Sequence, residues 1–309
     1  MIKYTVRKLL VSALSLLLIV FILFMLMQLM PGSPFNDEKL SAEQKQVLYE
    51  AYGLDKPVIY RFGVYVVNML KGDFGVSYSI SINTPVATLI KDRLPVSMKI
   101  GGVAMLFGSL AGMTLGFLAA FNRGKVMDTI CMIISILAVS VPSYIFAIVL
   151  NYYVGFKWKY LPLLYDYRIP IESSILPVIA LSIGVMGVIM KFTRDEATVV
   201  LGSDYVLFAR SQGIPEKQIL LGYVFRNSLI PVITVMAMLL VALLTGSLVT
   251  ERIFSIPGIG ALLTNAISQN DYNVIIALSF VYALLYIVAR FILDIVYGLI
   301  DPRIRVSGK

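Results

Sequence analysis

Long stretches of this chain carry no charge, and that fixes the solvent it must live in. Leu9 to Met30 is an uncharged run of 22 residues, and Ile100 to Phe121 is another of 22. A helix needs about 20 consecutive apolar residues to cross a bilayer core. Of the 309 residues, 59% are hydrophobic and 14% charged, whereas soluble domains carry about 25% charged residues. An ordinary soluble enzyme is excluded. The pattern predicts an all-α integral membrane protein, one domain over residues 1–309, with six spans at 9–30, 100–121, 129–156, 175–192, 229–249 and 274–297. The first is read as a span and not a signal peptide, because its apolar run exceeds a signal core and Met30, Pro31, Gly32 and Ser33 follow it where a small-residue cleavage site would stand.

What is missing narrows the chemistry. The chain has no histidine, which removes imidazole acid–base catalysis and His-ligated metal sites. Its one cysteine, Cys131, lies in an apolar stretch and reads as a small core residue. A phosphate-binding Gly-x-x-x-x-Gly-Lys-Ser/Thr loop is absent: Gly124 and Lys125 have Ala119 at the first glycine position and Val126 after the lysine. No catalytic, metal or cofactor residues are expected.

Basic residues give the orientation. With the N-terminus inside, inner segments hold 14 of the 26 lysines and arginines, short outer loops hold 4, and the long segment 31–99 holds 8. Long loops cross regardless of charge, so the comparison is 14 against 4, and both termini are expected in the cytoplasm. The net charge of +8 therefore reports topology, with no nucleic-acid partner implied.

Pro142, Pro177 and Pro231 fall inside spans, where each removes a backbone donor; they mark either cavity-shaping kinks or bends that neighbouring helices tolerate. Gly108, Gly112 and Gly116 form one stripe that suits close helix packing. Arg290 and Asp294 form an i, i+4 pair within span six. Polar groups at membrane depth, namely Ser140, Ser143, Asn151, Thr245 and Ser247, are candidates for a translocation path. Glu251 and Arg252, at the outer end of span five, read either as an outer gate or contact for an outer partner, or as an ordinary interfacial pair.

Two loops are too long to be connectors. The outer segment 31–99 reads as a folded lid: Ser41 to Gln44 resembles a capping box, Gly53 closes that helix, and Pro57 opens a second one that Gly72 closes. It is either a docking site for an outer partner or a cap on the bundle. The inner loop 191–228 is polar yet patterned. Ser203 is expected to cap a short helix with Asp204 in its first turn, and Gly213, Ile214 and Pro215 stop it. Glu216 begins the next helical run. The short helix carries Tyr205, Leu207 and Phe208, which read as a contact for a protein partner or as apolar groups lying in lipid headgroups.

This loop resembles the cytosolic loop of membrane subunits of ATP-binding-cassette importers, whose motif runs Glu-Ala-Ala-x-x-x-Gly. The match is Ala209 and Gly213, with Leu207 and Phe208 in place of the glutamate and first alanine, Gln212 at a frequent lysine position and Tyr223 at a frequent histidine. A competing register at Glu196, Ala197 and Gly202 fits the flanking Asp204, Tyr205, Arg210, Arg226, Asn227 and Pro231 less well. The resemblance covers nearly the whole chain. It includes Met30 to Pro34, Tyr52 to Pro57, Gly72 to Ser77, Pro85 with Val86, Arg93 to Pro95, Glu251 to Gly260, Asp271 with Tyr272, and Asp301 to Arg305.

The long outer segment resembles that of the first of two permease subunits in oligopeptide or dipeptide importers. The resemblance implies a type I importer-like permease in a bacterial cytoplasmic membrane. Its implied partners are a second homologous permease, two ATPases that carry the ATP and magnesium, an outer peptide-binding protein, peptide substrate and lipid. It implies that Asp204, Tyr205, Leu207, Phe208, Ala209, Arg210, Gly213, Ile214 and Glu216 couple ATPase motion to the spans. Nickel and oligosaccharide importers share the family. A channel would need no such loop, and an intramembrane aspartyl protease would need paired carboxylates at depth.

Overall fold

The computed structural model describes residues 2–29, 43, 46, 47, 50, 53, 55–244 and 247–300, with the side chains of 2–9, 28 and 292–300 outside the description. Among the described residues every regular element is helical: α1 (Ile2–Leu29), α2 (Val58–Leu70), α3 (Val86–Phe121), α4 (Val126–Ser140), α5 (Ser143–Leu150), α6 (Pro170–Leu201), α7 (Asp204–Ser211), α8 (Glu216–Ile219), α9 (Arg226–Leu244), α10 (Leu248–Ile253), α11 (Ile259–Ser268) and α12 (Tyr272–Ile300). Among the described residues five helices are long and apolar enough to cross a membrane, and a sixth results if the bent pair of α4 and the α5 segment is one span. The proposed capping box at Ser41 to Gln44, Thr245, and the Asp294 side chain lie outside the described residues.

The helix bounds depart from the sequence reading for identifiable reasons. Span two was placed from Ile100, but α3 begins at Val86. Its first turns carry Lys91, Asp92 and Arg93, which interrupt the apolar run. Val86 and Ile90 are nonetheless buried, and that burial holds the helix. Span three was read as continuous from 129 to 156. It breaks between Ser140 and Ser143 with a bend of 94°. Pro142 disfavours the helical region for its predecessor, and Val141 sits at φ −87°, ψ 120°. Beyond α5 the chain widens into a π-helical turn over Asn151–Lys157. Span four extends over the whole of α6, with Pro170 in its first turn and Pro177 inside it. Span five stops earlier than expected. Leu248 and Val249 belong to the separate helix α10, whose start at Ser247 is extended.

The chain forms two compact units, Met1–Val96 with Pro257–Val288, and Ser97–Ile256 with Ala289–Lys309. In the first, Val20, Phe24 and Met27 of α1 share a core with Tyr65 and Met69 of α2, Leu262 of α11 and Val274 to Leu278 of α12. Phe62 sets its ring edge-on to Phe21 at 5.1 Å and Phe24 at 5.6 Å. The fully buried Asp271 ties down the loop that precedes α3. Its Oδ2 accepts from the Ser77 hydroxyl and from the backbone N–H groups of Tyr78, Ser79 and Ile80.

In the second unit α6 is the common neighbour, with α4, α5, α7, α9 and α10 all packed on it. The glycine stripe of α3 also meets it. A Cβ added at Gly108 would lie 2.7 Å from Val185 Cβ, at Gly112 2.8 Å from the Met186 carbonyl, and at Gly116 2.6 Å from the Met190 carbonyl. The stripe is therefore a helix-packing seam. The Ser182 hydroxyl reinforces it by donating to the Ala104 carbonyl at 3.1 Å, and the Ser135 hydroxyl joins α4 to α6 by donating to the Gly187 carbonyl at 2.7 Å. Cys131 is buried beside Ala119 and Met190.

Candidate coupling surface and transport path

The loop between α6 and α9 is built around one short helix. Asp204 opens α7 and is placed to favour the positive end of the helix dipole. Ser203 occupies the N-cap, but its hydroxyl does not cap: it donates to the Val200 carbonyl at 2.6 Å. The expectation of a serine side-chain cap is corrected: donation to Val200 turns the hydroxyl back toward α6, and its oxygen accepts from no N–H of α7. Instead the Ser203 carbonyl accepts from Val206 and Leu207 N–H. The far end closes as a Schellman motif. Gly213 sits at φ +75°, its N–H donates to the Arg210 carbonyl, and the Ile214 N–H donates to the Ala209 carbonyl. Ile214 then packs on the cluster that holds Ala209.

That closure sorts the faces of α7. Val206 and Ala209 are buried in a core with Phe117, Ala197, Ile219 and Val224. Tyr205, Leu207 and Phe208 point away, with Phe208 63% exposed. Three large apolar groups on a helix fastened from below form a surface that water does not favour. Arg210 is held beside this face by Glu216, whose Oε1 accepts from Arg210 Nε at 2.8 Å. After Gly213 the chain restarts in α8, which passes through a π-helical turn at Leu220–Phe225 into α9, whose first residue is five before Pro231.

A second ionic contact escaped the sequence reading. Arg194, counted there only for topology, makes a two-pronged contact with Asp128: Nε donates to Oδ1 at 2.7 Å and Nη2 to Oδ2 at 3.0 Å. Oδ2 also accepts from the Gly124 N–H at 3.0 Å. The turn between α3 and α4 is thus tied to the end of α6 that leads into α7. No sequence spacing could pair residues 66 positions apart.

The path candidates do not form one cluster. Ser140 and Ser143 flank the Pro142 break, Asn151 starts the π-helical turn, and Ser247 stands just before α10 with its hydroxyl donating to the Thr250 hydroxyl at 2.9 Å and making no side-chain cap. The helices α5 and α10 that carry two of them do pack together. The Asn151 Oδ1 is buried without a hydrogen-bond partner. Glu251 is not an outward-facing group. It is 4% exposed and accepts from the Ser97 hydroxyl at 2.6 Å, so it offers no surface to an outer partner, while Arg252 beside it is exposed. Among the described residues it joins Asp128 and Asp271 as a buried carboxylate. A cavity of about 680 Å³ lies between α3 and α6, walled by groups such as Val103, Phe107, Ile175 and Ile179. Its walls are almost wholly apolar, so they suit hydrocarbon or a helix face better than a polar solute.

Long apolar helices, and a loop whose short helix presents apolar residues, define a multi-pass membrane protein. The comparisons with known proteins agree. Residues 112–306 match the family of binding-protein-dependent transport system inner membrane components, and residues 1–101 match the N-terminal domain of such membrane components. The dipeptide transport system permease protein DppB of Lactococcus lactis subsp. cremoris is 40% identical over 99% of this chain and 100% of its own length. DppB of Bacillus subtilis is 35% identical over 100% of both chains. The oligopeptide transport system permease protein OppB of Haemophilus influenzae is 35% identical over 99% of this chain and 100% of its own.

Among solved structures, an inward-facing MetNI methionine ABC transporter chain aligns with a TM-score of 0.58 at 15% identity, covering 69% of this chain and 96% of that one. It shows that the fold is shared with an ABC importer permease. The chain belongs to the family of binding-protein-dependent transport system inner membrane components, and it is a multi-pass protein of the cytoplasmic membrane.

Proposed function

We propose that this chain is the first permease subunit of an ATP-driven importer of short peptides, forming half of the translocation path. Its partners in this reading are a second homologous permease, two ATPase subunits and an outer peptide-binding protein. The chain itself performs no catalysis; ATP and magnesium sit on the ATPases. The observation that carries the reading is the exposed apolar face of α7. Tyr205, Leu207 and Phe208 are held outward by a helix whose other side, Val206 and Ala209, is locked into the core. Such a face docks the ATPase. Motion of the docked ATPase passes through Gly213 and the Arg210–Glu216 pair to α9, and through the Asp128–Arg194 tie to α4 and α6. Coupling requires only that α7 contact the two ATPase states differently. Ser140, Ser143, Asn151 and Ser247 are the path groups, and the Asn151 Oδ1 is buried without a hydrogen-bond partner.

The test is reconstitution of the complete transporter in vesicles, with uptake of a radiolabelled dipeptide measured alongside ATP hydrolysis. Peptide uptake that needs ATP and the outer binding protein is the expected result. Uptake without ATPases would make the chain a channel, and uptake of nickel or oligosaccharide in preference to peptide would reassign the cargo.

A further inference from the structure

The unit formed by Met1–Val96 and Pro257–Val288 contains a pocket of its own, of about 280 Å³. That is near the lower end of the ~300–1,000 Å³ typical of small-molecule sites. Unlike the groove between α3 and α6, it has mixed chemistry. Lys56, Arg61 and Asp73 contribute charges of both signs, and Asn68 contributes an amide. The Lys56 ammonium stands 5.3 Å from the centre of the Tyr60 ring. One oxygen of Asp73 accepts from the Gly75 N–H at 2.9 Å, and Asp73 has a second oxygen for another donor.

The decisive group is Tyr65. It lines the pocket, is only 9% exposed, and its hydroxyl is enclosed with no hydrogen-bond partner. An enclosed hydroxyl left unmatched is costly, because its hydrogen bonds to water are lost without replacement. Phenylalanine would fill the same core position without that cost. The hydroxyl is therefore an unmatched hydrogen-bonding group on a residue that lines a cavity of mixed polarity, and a ligand that draws it out would satisfy it.

We propose that this pocket binds a small zwitterion, a molecule with a free ammonium and a free carboxylate a short backbone apart. Lys56 and Arg61 take the carboxylate, Asp73 takes the ammonium, and the Tyr65 hydroxyl and Asn68 amide bond the backbone between them. The inference rests on the peptide-import reading, which makes short peptides the source of that chemistry. It places a peptide site on the lid, apart from any site in the outer binding protein.

The assembled membrane complex in nanodiscs, without the outer binding protein, is titrated calorimetrically with Ala-Ala, N-acetyl-Ala-Ala and Ala-Ala amide. Saturable Ala-Ala binding is expected, weakened about 5- to 10-fold by Tyr65→Phe, the loss of one buried hydrogen bond. Lys56→Met and Asp73→Asn should each weaken Ala-Ala. Asp73→Asn should leave the N-acetylated form unchanged, and Lys56→Met the amide. Tyr65→Phe keeps the ring in the core, and an unchanged or raised unfolding midpoint establishes that it folds. Absence of saturable Ala-Ala binding, equal affinity in Tyr65→Phe, or equal binding of the blocked analogues overturns the site. ATP-driven Ala-Ala uptake by the complete wild-type transporter, measured in parallel, separates the two readings: uptake without lid binding sinks the pocket alone, and its absence sinks the transport reading.

Discussion

The glycine seam can be tested with an internal control on the same helix. An alanine at Gly112 would place its Cβ 2.8 Å from the Met186 carbonyl oxygen and 2.9 Å from Ile189 Cβ. Optimal non-bonded separation is about 3.5–4.0 Å, so α3 and α6 must part by more than about half an ångström. Both neighbours belong to the body of α6, and neither can swing aside as the tip of a flexible side chain can. Overpacking of this kind costs about 1–3 kcal/mol. Gly102 lies earlier on α3, and an added Cβ there meets nothing within 4 Å. Alanine at that site should be neutral or stabilise by about 0.5–1 kcal/mol, since glycine is the poorer helix former. The two substitutions therefore act in opposite directions with the same change in chemistry. The assay is reversible SDS unfolding of the purified permease complex, read by helical circular dichroism. Gly112→Ala should lower the midpoint while Gly102→Ala holds or raises it. Equal shifts would refute the claim that backbone contact, and not glycine content, governs α3.

At Gly213, φ is +75°, so valine there should cost about 1–2 kcal/mol and lower peptide uptake while ATPase activity continues; normal uptake would show that the C-terminal turn of α7 does not transmit motion. Phe208→Ser should weaken co-purification of the ATPase by at least tenfold, as loss of a buried aromatic anchor costs about 2 kcal/mol or more; undiminished association would move the dock elsewhere. Asp128→Asn and Arg194→Gln should each destabilise by about 1.5–3 kcal/mol, and their double mutant should cost much less than the sum; additive losses would mean the pair is not coupled. Burial pushes the Tyr65 phenol above its ordinary value. Its folded state thus binds the proton more tightly than the unfolded chain. The associated stability is complete below about pH 10, the unfolded value, and falls as pH rises beyond it. Tyr65→Phe should flatten that alkaline loss in an unfolding series, and an unchanged profile would place the titration on another tyrosine.

How much of this was legible beforehand depends on the range of the interaction. Elements written in local signals were readable. The α2 helix between Pro57 and Gly72, the α7 helix and its glycine stop all follow from turn residues next to apolar periodicity, and the glycine stripe followed from spacing alone. Boundaries governed by burial were not. Lys91, Asp92 and Arg93 hid the first turns of α3, because the apolar side of those turns is a minority of the residues and its burial depends on partners distant in sequence. Pro142 was visible as a kink site, but the size of the bend was not, since proline removes a constraint without dictating the new direction. The site was half legible. The outward face of α7 could be listed from its residues, whereas which of them point outward depended on Val206 and Ala209 finding a core. Pairings such as Asp128 with Arg194, Glu251 with Ser97 and Asp271 with the loop at 77–80 have no local signature at all.

The length of α6 has a mechanical consequence. Its 32 residues make a rod of about 48 Å at 1.5 Å per residue, well beyond the ~30 Å of a hydrocarbon core. The glycines of α3 grip it along Ser182 to Thr193, close to its midpoint. If α7 carries the ATPase contact proposed above, a push at that end of a rod gripped near its middle would return at the far end with opposite sense. Pro177 stands on the far arm, where one missing backbone bond provides a joint. The tight seam is thus a bearing, and its closeness sets how little of the input is lost as slack.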